Sequence, residues 1–380
     1  MKKLLIVAGE ASGDLHGSNL IKSILEIDPS IRLYGIGGSR MQSLGFNAVF
    51  DSKDLSVVGI VEVLAKLPTI KKAFDRLKNI LDNDMPDAVV LIDYPDFNLR
   101  FAKEVKKRNI PVVYYISPQV WAWRKGRVKK IVRLVDKMLV IFPFEEKIYK
   151  DAGLDVEYVG HPLVDEVKCS LSKKEARERL EIEYDKKVIA IAPGSRESEI
   201  SRIMPEILGA AKILKREIPD IEFILPLANT LTRDFIERFL KDIPIKIFEN
   251  KMYEVMRASD IAIVASGTAT LETALMETPM VVVYKVSPIT YWIGRMLVHV
   301  AHISLANIVA GKRIVPELLQ NDANPSKIAD EVLNILKNTD IYNNMTAGLK
   351  TVREKLGKGG ASKNAAEAIL KTLNDKGSRG

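Results

Sequence analysis

The stretch Leu4-Leu5-Ile6-Val7-Ala8-Gly9-Glu10-Ala11-Ser12-Gly13-Asp14 decides the fold: an unbroken apolar run stops on a glycine, and a loop of small polar residues leads into a helical pattern. A strand that is apolar on both faces must be covered on both, as in a parallel sheet flanked by helices. The same unit recurs at 33–36, 88–92, 112–116 and 137–141, and again at 188–192, 221–226, 245–248, 261–265 and 280–284, with amphipathic stretches between. This alternation predicts an α/β protein of two Rossmann-like doubly wound domains facing across a cleft. The length, 380 residues, suits two cores. The rhythm pauses at Gly160-His161-Pro162 and at 168–174, which places the linker there. The expected domains are 1–165 and 166–345, with a helical tail, 346–380, that has the option of packing back on the first.

Composition narrows the function classes. The chain is 47% hydrophobic and 28% charged, as expected of a globular protein, and its net charge of +8 admits nucleic acid, an anionic membrane or a phosphorylated substrate. A single cysteine, Cys169, excludes an intramolecular disulfide framework and a multi-cysteine metal cage. No apolar run approaches the ~20 residues needed to span a bilayer, so membrane contact is expected to be peripheral. The short apolar run after Lys2-Lys3 reads as a buried strand, not a signal peptide. Four histidines (His16, His161, His299 and His302) lack acidic partners at ligand spacing, so no metal ligands are expected.

In doubly wound folds ligands bind at the carboxyl ends of the strands, so the strand-to-helix loops carry the candidates. In the first loop Glu10, Ser12, Gly13 and Asp14 suit an acceptor or sugar, because glycines let backbone amides approach and the helix start favours an acceptor group; a plain tight turn is the alternative. Gly35-Ile36-Gly37-Gly38 ends the next strand, as a packing turn or as a second wall of the same site. Ile92-Asp93-Tyr94-Pro95-Asp96 sets two carboxylates after an apolar strand. A partly desolvated carboxylate there can serve as a general base. Asp93 is preferred, and Asp96 is the alternative base because it also suits a helix N-cap. Trp121, with Trp123 and Arg124 after it, could flank a sugar or acyl chain beside a basic face, or simply pack in the core.

The second half supplies the pieces of a diphosphate clamp. Gly194, Ser195 and Arg196 close one strand, and the forked donors of Arg196 suit phosphate, with a structural ion pair as the alternative. Ser266, Gly267 and Thr268 open a helix whose free amides suit an anion, and Glu272, one turn on, can accept ribose hydroxyls; a capped core helix with an exposed glutamate is the alternative. Asn307 is a further candidate for the diphosphate or donor sugar, or else a helix cap. The amphipathic region 57–77 either presents Ile60, Val61, Leu64 and Leu67 to a membrane surface beside Lys66, Lys71 and Lys72 or packs its apolar face in the core, and Pro68 is expected to divide it into two helices.

Taken in order, the motifs at 9–14, 93–98, 117–124, 160–162, 193–196, 266–272 and 304–307, with Gly-Ile-Val-Glu-Val-Leu at 59–64, resemble those of the lipid-A-disaccharide synthase family over nearly the whole chain. The resemblance implies a GT-B glycosyltransferase. It would move 2,3-diacylglucosamine with inversion from its UDP form onto 2,3-diacylglucosamine 1-phosphate, making a β-1,6 linkage and releasing UDP. It further implies no cofactor, a homodimer, and a peripheral place on the cytoplasmic face of the inner membrane of a Gram-negative bacterium. Two rivals share the fold: a UDP-GlcNAc 2-epimerase and the transferase of peptidoglycan precursors. A basic RNA-binding protein would need aromatic or glycine-lysine signatures that this sequence lacks, so no nucleic acid partner is expected.

Overall fold

A computed structural model describes residues 1–55, 60–121, 126–240, 242–287 and 301–377, the side chains of 60–65 and 375–377 excepted. The chain divides into two compact units, Met1–Pro162 with Lys358–Gly380, and Leu163–Gly357.

The first unit is built on a seven-stranded parallel sheet in the order β3-β2-β1-β4-β5-β6-β7. Its strands are β1 (Lys3–Ala8), β2 (Arg32–Gly37), β3 (Asn47–Asp51), β4 (Ala88–Ile92), β5 (Val112–Tyr115), β6 (Lys137–Val140) and β7 (Asp155–Tyr158). Leu4 to Ala8 and Ala88 to Ile92 are wholly buried, the double-sided burial their composition required. Register then fixes the site: Ala8 lies opposite Ile92, so the loop opening at Gly9 runs beside Asp93. The order of strands reverses between β1 and β4, the switch point at which such sheets leave a crevice. The helix Ala361–Gly377 packs on the helix Ala11–Ile27.

The second unit repeats the plan with six parallel strands in the order β10-β9-β8-β11-β12-β13. These are β8 (Val188–Ala192), β9 (Glu222–Leu227), β10 (Ile245–Glu249), β11 (Ile261–Ala265), β12 (Met280–Tyr284) and β13 (Glu317–Leu319). Ala192 pairs with Val264, which sets the Gly194 loop beside the Ser266 loop at the corresponding switch point. Asp260 ties the start of the sheet together. Its carboxylate meets buried Arg177 at 2.9 Å and Lys173 at 2.7 Å, and accepts the Val188 amide at 2.7 Å.

Two expectations need correction. The strands β3, β7 and β13 escaped the apolar-run criterion because each is an edge strand with half-exposed positions. Pro68 does not divide the amphipathic region: one helix, Ile60–Asn83, runs through it. A proline removes a single backbone donor, and the buried Ala73, Leu77 and Leu81, with Phe74 edge-on to Phe97 and Phe101, hold the helix in place.

Candidate active site

At the end of β4 the chain makes a turn that L-residues seldom adopt: Asp93 and Tyr94 have φ of 46° and 45°. Such a pair costs roughly 1–3 kcal/mol per residue and persists only where neighbours enforce it. Here the Asp93 carbonyl accepts from the Tyr114 hydroxyl at 2.5 Å and the Asn98 amide at 2.7 Å, while its own N–H donates to the Tyr115 carbonyl at 3.2 Å. The turn aims a half-buried carboxylate at the switch point. Burial, then the charge of Glu10, pushes Asp93 up to about 6, against the pull of the Tyr94 amide. A carboxylate so placed can accept a proton near neutral pH.

Asp96 stands elsewhere. Tyr94 takes the N-cap position of the helix Pro95–Lys106, correcting the expected cap, and Asp96 is an exposed residue of the first turn, paired with Arg127. The turn also explains Gly9, since a Cβ there would lie 2.3 Å from the Tyr94 ring. Glu10 and Ser12 are exposed at the start of the helix Ala11–Ile27, and Gly13 packs on Ala8. Asp14 is buried and accepts the amides of Gly38, Arg40 and Met41 at 2.8, 3.1 and 3.2 Å. It thereby joins the two glycine loops into one wall.

Trp121 is half-buried, edge-on to Phe142 and Phe144, and donates its indole N–H to Glu145 at 3.2 Å. Glu145 was not legible as a functional residue. It lies fully buried, accepts the Phe142 amide, and burial pushes it up to about 8. His16 and His161 are held neutral, pushed down by burial to about 4 and about 3, with His16 adding to the shift of His161. Trp123 and Arg124 lie outside the described residues, as do the side chains of Ile60, Val61 and Leu64; Leu67 is exposed.

In the second unit a cavity of about 560 Å³ gathers Gly194, Ser195, Arg196, Ser266, Gly267, Thr268 and Glu272. Gly194 and Gly267 have φ of 112° and 153°, which only glycine adopts cheaply. The helix Thr268–Leu275 begins at the cavity wall, and the first amides of a helix have no partner within it. Arg196 is mostly exposed, and its pair with Glu199 at 2.7 Å is of the weak surface kind, so the guanidinium can turn to a ligand. Glu272 is raised by burial and by Glu166, while the Tyr253 hydroxyl, at 3.3 Å, lowers it. Tyr253, Asn229 and Asn250 line the same cavity and carried no sequence signal.

Asn307 is a correction. It is fully buried, donates to the Val315 carbonyl and to Glu317, and accepts the amides of Ile314 and Val315, leaving no capacity for a diphosphate. Among the described residues no group of three or more His, Cys, Asp or Glu could hold a metal ion, and no helix is long and apolar enough to cross a membrane.

Solved structures with this fold include the UDP-GlcNAc 2-epimerase of Neisseria meningitidis bound to UDP-GlcNAc (17% identity, TM-score 0.63, covering 97% of this chain and 100% of that one). MurG of Acinetobacter baumannii aligns at 15% identity and TM-score 0.60 over 98% of this chain and all of its own. At such identities they establish the GT-B fold and leave its activity open. Sequence relatives are much nearer. The lipid-A-disaccharide synthase of Geobacter metallireducens is 49% identical over 99% of this chain and 98% of its own, and that of Coxiella burnetii strain CbuK_Q154 is 42% identical over 97% and 98%. The family model for lipid-A-disaccharide synthetase matches residues 4–372. The epimerase and peptidoglycan readings are therefore not favoured, and this chain belongs to the lipid-A-disaccharide synthase family, a family of glycosyltransferases.

Proposed function

We propose that the chain transfers 2,3-diacylglucosamine from UDP-2,3-diacylglucosamine to the 6-hydroxyl of 2,3-diacylglucosamine 1-phosphate. The first unit takes the acceptor and the second holds the UDP donor. As the acceptor oxygen bonds to the donor anomeric carbon, the bond from that carbon to the diphosphate breaks, and the hydroxyl proton passes to Asp93. Arg196 and the amides at Gly267 and Thr268 meet the charge that builds on departing UDP. Glu272 orients the ribose.

The observation that carries this reading is the desolvated Asp93 carboxylate, raised to about 6 beside the glycine loop at a sheet switch point. The family membership supplies the substrates. The exposed Leu67, next to the exposed Lys71 and Lys72, supports a peripheral place on the inner membrane's cytoplasmic face, and the enzyme acts there as a homodimer. Incubation of the purified protein with both acylated substrates should yield one disaccharide phosphate and one UDP per turnover. UDP release with no disaccharide would overturn the proposal.

A further inference from the structure

The first unit holds a second cavity, of about 410 Å³, that the proton transfer does not use. Ser12, Ser39, Arg40, Ser52 and Lys53 line it, with Asp14. Its charge is unbalanced. Among the described residues no carboxylate pairs with the guanidinium of Arg40 or the ammonium of Lys53, and both side chains are exposed at the cavity. Asp14 offsets one of the two charges at most, and its oxygens are held by three backbone amides. Asp51 is engaged as well: one oxygen caps the Lys53 amide at 2.9 Å and the other accepts from Gln42 at 3.4 Å. Two cations and three hydroxyls around a space of this size suit a doubly charged, oxygen-rich group.

The cavity is tied to the proposed base. Ser12 follows Glu10 by two residues, and Glu10 lies near enough to Asp93 to perturb it. Tyr94, adjoining Asp93, sets its ring against Gly9 and reaches the Leu55 carbonyl with its hydroxyl at 3.4 Å, so one side chain spans the loops that carry Ser12 and Lys53.

We propose that this cavity is a subsite for a phosphate monoester on the acceptor sugar, with Arg40 and Lys53 as its specificity-determining residues. The inference rests on the transfer reaction proposed above and deepens it. A phosphate held there fixes which end of the sugar faces away from Asp93, and so which hydroxyl is presented.

The test compares two acceptors, 2,3-diacylglucosamine 1-phosphate and the same sugar with a free reducing end, on wild type, Arg40→Gln and Lys53→Gln. With the phosphorylated acceptor each variant should raise KM about 10- to 100-fold while kcat and the donor KM move less than about threefold, since one charge-assisted contact accounts for a change of that size. With the dephosphorylated acceptor the penalty should be at least about tenfold smaller. Equal penalties with both acceptors would overturn the subsite. So would equal penalties accompanied by lost binding to vesicles containing anionic phospholipid, which would assign the cations to membrane headgroups. If wild type forms no disaccharide at all, the proposed reaction fails first, and that outcome is separable from failure of the subsite.

Discussion

Replacing Asp93 by asparagine should move activity and stability in opposite directions. Burial and the neighbouring Glu10 raise the carboxyl from 3.8 to about 6, so keeping it ionised in the fold costs about 3 kcal/mol at 1.36 kcal/mol per unit. The sign follows from linkage. The folded state binds this proton more tightly than the unfolded chain does, so the stability carried by the protonated group is complete below about pH 4 and is lost as the pH rises through about 6. Asparagine keeps the shape and never ionises. Discounting for the solvent that still reaches the group, Asp93→Asn should be about 2 kcal/mol more stable than wild type above about pH 7, or about 4–8 °C in Tm for a unit of this size. Turnover should fall roughly 10²- to 10⁴-fold. The assay pairs melting curves between about pH 4 and 8 with initial rates at about pH 7.5. The Tm difference should be absent at the acid end, open between about pH 4 and 6, and hold constant beyond; taking a difference cancels His16, His161 and Glu145, which titrate in both proteins. A variant that melts lower than wild type at about pH 7.5, or that keeps kcat within about tenfold, refutes the reasoning.

Arg196→Ala should leave Tm within about 2 °C, because its ion pair with Glu199 is exposed, while donor KM rises about 10- to 100-fold; unchanged donor binding by calorimetry would remove it from the clamp. Asp260→Ala strips buried Arg177 of its carboxylate and should cost about 3–5 kcal/mol in urea denaturation, and a loss under about 1 kcal/mol would show that the Arg177 guanidinium is satisfied by the carbonyls around it. For Glu145, raised from 4.5 to about 8 by burial, the protonated group's stability is present below about pH 4.5 and lost as pH rises through about 8. Glu145→Gln should therefore gain Tm on wild type across that window, whereas a parallel pair of curves would contradict it.

The fold was legible where burial is two-sided. Runs such as 4–8, 88–92 and 188–192 cannot lie anywhere but in the middle of a covered sheet, and the loops that follow them inherit their positions from strand order alone. That is why the loops carrying Asp93 and Arg196, and the helix carrying Glu272, could be assigned to strand ends from the sequence. Edge strands carry the apolar signature unevenly: Ile245–Glu249 was readable, whereas Asn47–Asp51 and Asp155–Tyr158, with polar residues breaking the apolar run, were not. Polar residues were harder still, because sequence does not say which way a polar atom faces. Asp14 and Asn307 sit in the first turns of helices, yet Asp14 accepts backbone amides, and Asn307 is taken up by backbone groups and the Glu317 carboxylate. Glu145 lies in an ordinary-looking Pro-Phe-Glu-Glu helix start and turns inward to the Trp121 indole.

The return of the helix Ala361–Gly377 to the first unit has a consequence for synthesis on the ribosome. Ala365, Ala366 and Ile369 of that helix are buried, and 195 residues, 163 through 357, are translated between Pro162 and the segment that restores this cover. At about 5–20 residues per second the N-terminal sheet waits roughly 10–40 seconds with an apolar flank uncovered. Nascent chains stalled before Ala361 should accordingly be more prone to chaperone capture and proteolysis than chains released in full.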